Sequence, residues 1–176
     1  MSSTTSARIE TFANVHEVSA LWWTVATVSL TTIHHLYGAI IYHTPWRDHA
    51  AIVAVGTVLM AAGLLRVHRS LASERIRIIA FWMFVILTLL IAVVGIGLFE
   101  GGYNHGLKNL LYFTTTDTDL LQSLFPSPTY EMPNDAFFEI TGVLQFPVGL
   151  VTGWKLVQTV RTHLLSHELT PRSRRA

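Results

Sequence analysis

Long apolar runs alternate along the chain with short, charged breaks. Four runs approach or exceed the length a membrane span needs, about 20 mostly apolar residues. They cover roughly 18–43, 50–67, 76–99 and 137–160. The second, third and fourth read plainly as spans. None carries the charged stripe at helical period that a soluble bundle would show. The first contains four threonines and two histidines, so it reads as a polar-lined span. The predicted fold is all-α: a polytopic membrane protein with a four-transmembrane-helix bundle and a structured outer loop between helices 3 and 4. The expected division is an N-terminal segment 1–17, a transmembrane domain 18–165 with an outer cap 101–134, and a basic tail 166–176. Residues 1–17 carry Glu10 and Glu17 and lack a signal-peptide pattern, so the first span is expected to be retained.

Composition supports this picture. Only 13% of the 176 residues are charged, against about 25% in a typical soluble domain. The net charge of +1 offers no basic face for nucleic acid. Cysteine is absent, which excludes disulfides, thiolate metal sites and cysteine nucleophiles. Nine histidines are many for this length, so histidine is the residue type to follow.

Charge placement sets an expected orientation. Arg8, Arg66, Arg69, Arg75, Arg77, Lys155, Arg161, Arg172, Arg174 and Arg175 fall on one side, leaving only Arg47 and Lys108 on the other. Basic residues favour the cytoplasmic side, so both termini are expected in the cytoplasm, in a plasma or inner membrane. Asp48, Glu100, Asp117, Asp119, Glu131, Asp135 and Glu139 then belong to the outer side, as do His43, His49 and His105. His16, His68, His163 and His167 fall on the inner side among arginines and read as interfacial polar residues.

His34 and His35 differ, because they lie about 12 Å below the outer end of the first span at 1.5 Å per residue. Ionisable groups at such depth usually face the protein interior or a wet cavity. His34 shares a stripe with Thr24, Thr27, Thr31 and Gly38, and small or hydroxylated residues mark helix-packing faces. The fourth span offers a matching stripe of Glu139, Gly142, Phe146, Gly149 and Gly153, bordered by Gln145. "PND" before it supplies an N-cap at Asn134 or Asp135.

Three regions thus converge at one level: His34 and His35, the end of span three with Glu100 and His105, and the start of span four with Asp135, Glu139 and Gln145. Tyr103 and Asn104 lie between Glu100 and His105 in "EGGYNH" and join the expected ligand-binding set. Imidazole and carboxylate are the usual ligands of Zn²⁺, Cu²⁺ and non-haem iron, so His34, His35, Glu100, His105 and Glu139 are the candidate metal ligands. Each has a plainer reading. The two histidines would tie helices together, Glu100 would mark a headgroup-level helix end, and Glu139 would interact with a helix dipole. Gly101 and Gly102 are expected to stop the third span by a left-handed turn. Beyond them "GLKNLLYF" suits a short interfacial helix, and "LFPSPTYEMPND" an extended return.

No motif identifies a family, and no known metal-binding pattern such as H-E-x-x-H occurs. Spans two, three and four have no mid-membrane histidine, so no haem is expected. The favoured function is a membrane protein binding a divalent transition metal (Zn, Cu or Fe) or a small ligand in an outward-facing pocket, with metal-dependent catalysis as an extension. Ion or proton transport through the His/Glu pair is one alternative. A structural or assembly subunit is another, with a homo-oligomer or complex partner packed on the small-residue helix faces. The lipid bilayer itself is the one partner the hydropathy requires.

Overall fold

A computed structural model of the chain describes the backbone of residues 3–127 and 129–169, and the side chains of 14–127 and 129–166. Arg8, His167 and the arginines of the basic tail have side chains outside this set. Every described element is a helix. The order is α1 (Ser3–Ile41), a 3₁₀ turn (Pro45–Arg47), α2 (Asp48–Ser70), α3 (Glu74–Leu87), a π-helical segment (Thr88–Leu107), α4 (Lys108–Thr114), α5 (Thr118–Leu124) and α6 (Ala136–Leu169).

Three helical stretches are long and apolar enough to cross a membrane: Pro45–Ser70, Glu74–Thr114 and Ala136–Ser166. α1 is not one of them, because its threonines and histidines lower its hydropathy. α1 packs against α6 and α2, α6 packs against the π-helical segment, and α2 packs against α3.

The arrangement is inside-out relative to a water-soluble domain. Ile52, Val55, Leu59, Met60, Ile79, Ile86, Leu90, Ile140 and Leu150 are exposed. Thr24, Thr27, His34, Thr88, Gln145 and Thr152 are completely buried. That distribution suits a hydrocarbon surround, where polar groups must find partners inside the protein. The apolar core is small: Ala20, Ala61, Leu65, Phe81, Phe84, Val85 and Leu156 pack at the Glu17 end. Val28, Ala54 and Ile96 pack nearer His34. Between α1 and α6 the contact is polar, with Thr27 Oγ1 and Thr152 Oγ1 2.8 Å apart.

The turn out of α1 uses His43 at φ 51°, and the Arg47 Nε donates to Thr44 Oγ1 at 2.8 Å. α6 starts as its sequence predicts: Asp135 Oδ1 accepts from Phe138 N at 2.8 Å, making Asp135 the cap. The loop before α6 is tied down. Tyr42 donates to Asn134 Oδ1 at 2.5 Å and Tyr37 to Asp135 Oδ2 at 3.2 Å. Tyr42 is thus a loop clamp as well as an aromatic at the helix end.

The third span departs from expectation. Gly101 and Gly102 do not stop it; the helix continues to Thr114, and no described glycine has a positive φ. "GLKNLLYF" is its last turns rather than a separate interfacial helix, and the connection to α6 begins only at Thr115. The reason is close approach, the other use of glycine. A Cβ on Gly101 would meet Phe146 N and the Gln145 carbonyl carbon. A Cβ on Gly97 would lie 2.8 Å from Gly149 Cα. The two helices therefore pack backbone to backbone at these glycines, as small-residue faces allow in membranes.

The winding itself is unusual. π-Helical bonding runs from i to i+5 and mostly appears as single turns, frequently at functional sites. Here it extends over 20 residues. The buried positions Thr88, Ala92, Val93, Ile96, Gly97, Gly101 and His105 recur every four to five residues, the spacing that a wider helix keeps on one face. On α6 the buried face is Phe138, Glu139, Thr141, Gly142, Gln145, Gly149 and Thr152, with Phe146 39% exposed and off the predicted stripe.

Candidate metal centre

The site is built on α1, the π-helical segment and α6. α1 places His34 fully buried and His35 beside it, with Thr31 buried one turn earlier. The π-helical segment places Glu100 and His105 five residues apart on one side. α6 contributes Phe138, Glu139, Thr141 and Gly142. Phe138 stacks on His34, with ring centroids 4.1 Å apart at 23°. The His105 ring lies where a Cβ on Gly142 would be, so only glycine admits it there.

Glu100 is the hub. Its Oε2 accepts from Asn104 Nδ2 at 2.6 Å, which fixes the carboxylate. Its Oε1 then lies 3.7 Å from His34 Nε2, 3.6 Å from His35 Nε2 and 3.6 Å from His105 Nε2. Ligand atoms of His34, Glu100 and His105 all lie within 4.8 Å of one another.

The other ring nitrogens decide what these contacts are. His105 Nδ1 lies 2.8 Å from Glu139 Oε2. A carboxylate only accepts, so Nδ1 carries the proton, and in the neutral ring Nε2 then presents a lone pair. Glu139 is held in turn by Lys108 Nζ at 3.2 Å from Oε1. His34 Nδ1 lies 3.1 Å from Thr141 Oγ1. With its one proton given to the Phe137 carbonyl at 2.8 Å, the Thr141 hydroxyl can accept from His34 Nδ1–H, and in that tautomer the other ring nitrogen is free. His34 Nε2 is left with a lone pair, and it is buried without a hydrogen-bond partner. Two imidazole lone pairs and a carboxylate oxygen therefore face one another in a buried site. Holding a ligand histidine through its second nitrogen is how metal centres fix ring orientation and tautomer.

The predicted residues sort accordingly. His34, Glu100 and His105 come together, and His35 stands beside Glu100 with its Nδ1 buried and unpaired. Glu139 supports His105 rather than sharing the central space. Asn104 orients Glu100. Gln145 is fully buried with neither amide atom paired, one turn beyond Thr141 on the same face. Asp135 is engaged in capping, and Tyr103 turns away to donate to the Leu124 carbonyl at 3.1 Å.

Two contributors went unforeseen. Lys108 is only 2% exposed and bridges Glu139 to the Glu131 carbonyl, joining the centre to the loop above it. Its place in "GLKNLLYF" predicts the polar side of a short interfacial helix. Thr141 carries no distinctive sequence signal beyond lying two residues from Glu139. At the opposite end, His68 and His163 are buried within the protein. There Glu17 Oε2 accepts from Arg69 Nε at 2.9 Å, and His68 Nε2 lies 3.3 Å from Glu17 Oε1.

The chain matches no family model, no curated protein and no solved structure, so the meaning of the centre rests on its own geometry.

Proposed function

We propose that the chain is a four-span membrane protein that binds one divalent transition metal ion at His34, Glu100 and His105. The observation that carries this is the donor balance: His34 and His105 each have Nδ1 engaged elsewhere, so their Nε2 lone pairs converge on a carboxylate. Acceptors facing one another in a low-dielectric site repel, and a cation among them removes the conflict. Metal bonds to imidazole and carboxylate are about 2.0–2.2 Å long. Two ligand atoms 3.6–3.7 Å apart then subtend about 110–135° at the ion, a range that includes the tetrahedral angle.

Two imidazoles and one carboxylate suit Zn²⁺ or Fe²⁺, with Cu²⁺ also in the class. Such a set leaves coordination positions for water or a substrate, as catalytic rather than closed structural centres do. His35 stands ready as a fourth ligand or as a proton acceptor beside the ion. α1 serves as the fourth span in this reading, with its polar face turned to the protein interior. The distribution of Lys and Arg supports cytoplasmic termini, which puts the centre in the outward half of the membrane.

The test is elemental analysis of the purified full-length protein after loading with Zn²⁺, Fe²⁺ or Co²⁺ and desalting. About one equivalent is expected, lost in His34→Ala and in His105→Ala and retained in His49→Ala. Failure of the wild-type protein to hold any of these ions would sink the reading. A second reading, ion or proton transfer, has one observation in its favour: Thr24, Thr27, Thr31 and Thr152 are buried along the polar face that leads from His34 toward Glu17. Flux in liposomes that survives removal of the metal would favour it.

A further inference from the structure

A cavity of about 200 Å³ lies against the centre, between α1, α2 and the π-helical segment. Glu100 and His35 form its polar wall, and Ala54, Ile91 and Ile96 form apolar wall. We propose that this cavity is the chamber for an exchangeable ligand of the metal ion. The ligand is a neutral, mostly apolar molecule of about six to eight non-hydrogen atoms with one lone-pair donor, and it reaches the ion from the bilayer. The inference rests on the metal reading above and specifies what the open coordination position takes.

Size, polarity and access each point the same way. A dry apolar cavity of about 150 Å³ accommodates benzene, so a space of about 200 Å³ takes a slightly larger guest. Apart from His49 near the helix ends, Glu100 and His35 are the titratable groups in the lining. Both face the metal centre, and the wall around the body of a guest, from Ala50, Val53, Ala54, Ile91 and Ile96, carries no charged group to pair with an ionic one. A charge brought into such a space without a partner is heavily penalised. A neutral guest has one favourable pose: its apolar body against Ala54, Ile91 and Ile96, and its donor atom at the ion beside Glu100.

The route follows from Val53. It lines the cavity and is 52% exposed, so the mouth lies beside it. Its exposed neighbours Ile52 and Val55 are 74% and 55% exposed and belong to the apolar flank of α2. α2 packs on α1 and α3 and only lightly on the π-helical segment, so the gap opens sideways into that flank. A lipophilic molecule dissolved in the bilayer meets this opening directly, whereas a polar one has no lined path to it.

Pyridine is a suitable probe, with the shape of benzene, one nitrogen donor and no charge at neutral pH. The experiment titrates pyridine into the Co²⁺-loaded full-length protein in lipid nanodiscs and follows the visible Co²⁺ absorption. Saturable change is expected, with pyridine-3-sulfonate inert because of its charge. Ala50→Phe, which fills the cavity from α2, should weaken pyridine at least tenfold while Co²⁺ stays stoichiometric. Val55→Phe, on the outer flank, should change neither. An unchanged pyridine response in Ala50→Phe with the metal retained overturns the chamber alone. If Ala50→Phe sheds the metal, Val53→Trp at the mouth replaces it: weakened binding supports the proposal and unchanged binding overturns it. Loss of Co²⁺ binding by the wild-type protein overturns the metal reading and the chamber with it, and elemental analysis separates the two failures.

Discussion

Two buried histidine–carboxylate clusters sit at opposite ends of the same helices, and they balance their charges differently. At the Glu17 end, His68 Nδ1 donates to the Arg77 carbonyl at 2.9 Å and Nε2 faces Glu17 at 3.3 Å. The Arg69 guanidinium reaches the other Glu17 oxygen through Nε at 2.9 Å and Nη2 at 2.8 Å. A planar fork on a carboxylate is a strong, directional pairing. A fixed guanidinium thus balances the carboxylate, and the cluster joins α1 to α2. At the His34 end the same residue types give the opposite result. Glu100 faces three ring nitrogens at 3.6–3.7 Å, and the one nearby lysine is turned to Glu139. Residue type alone therefore does not distinguish a structural lock from a ligand set. The difference lies in the cation: Arg69 is fixed on Glu17, whereas among the described residues Glu100 pairs with no arginine or lysine.

That contrast can be broken at either end, and the largest effect is expected at the His34 end. Glu139→Gln removes the charge that holds His105 Nδ1–H while leaving His105 in place. Metal affinity should fall about 10–100-fold, the usual effect of removing a supporting carboxylate. A competition titration against a chelator of known affinity measures it, and unchanged affinity would show that His105 does not need this support. Glu17→Gln tests the other end. It leaves Arg69 and His68 facing a neutral amide, and unfolding in detergent should cost roughly 1–3 kcal/mol less than in the wild type. Metal content should be unaffected; a parallel loss of metal would mean that the two ends are not independent.

The smallest effect is a response to acid. Burial by itself raises the Glu17 pKa, but hydrogen bonds from His68 and Arg69 outweigh it and hold the carboxyl below its ordinary value. A folded-state pKa below the unfolded one gives stability that is fully present above the unfolded value. It is lost as the pH falls toward the folded value. Melting temperature should therefore drop below about pH 5 more steeply in the wild type than in Glu17→Gln. Parallel curves for the two proteins would remove Glu17 from the account.

Much of the His34 end was legible from residue type and helical period. A 3.6-residue repeat put His34 on the same face as Thr24, Thr27 and Thr31, and all four are buried. It also put Glu139 and Gly142 on one face of α6, where they meet His105. The third span was harder to read, for two physical reasons. Glycine serves both turns and close approach, and local sequence does not distinguish the uses; only the Gln145–Phe146 backbone opposite Gly101 does. Helix winding is the second reason. At about 100° per residue, Glu100 and His105 would point about 140° apart. The π-helical winding brings them to one side. Lys108 was hidden for the first reason, since a span taken to stop at Gly101 leaves it on the polar side of a separate interfacial helix. The burial of His68 rests on a carbonyl nine residues further along the chain, on the next helix, which no local pattern reports.

The wide winding also makes the centre a matter of counting. Glu100 and His105 reach the same space because the backbone adds a fifth residue to each hydrogen-bonded turn between Thr88 and Leu107. Inserting a single residue between Glu100 and His105 would set them six positions apart. His105 would then swing off the face it shares with Glu100, although every ligand would still be present. Changes of length between Thr115 and Pro126 touch none of these residues and leave the register of the π-helical segment and of α6 as it is. Spacing along one helix, more than the mere presence of histidines and carboxylates, is what a chain must preserve to keep this centre.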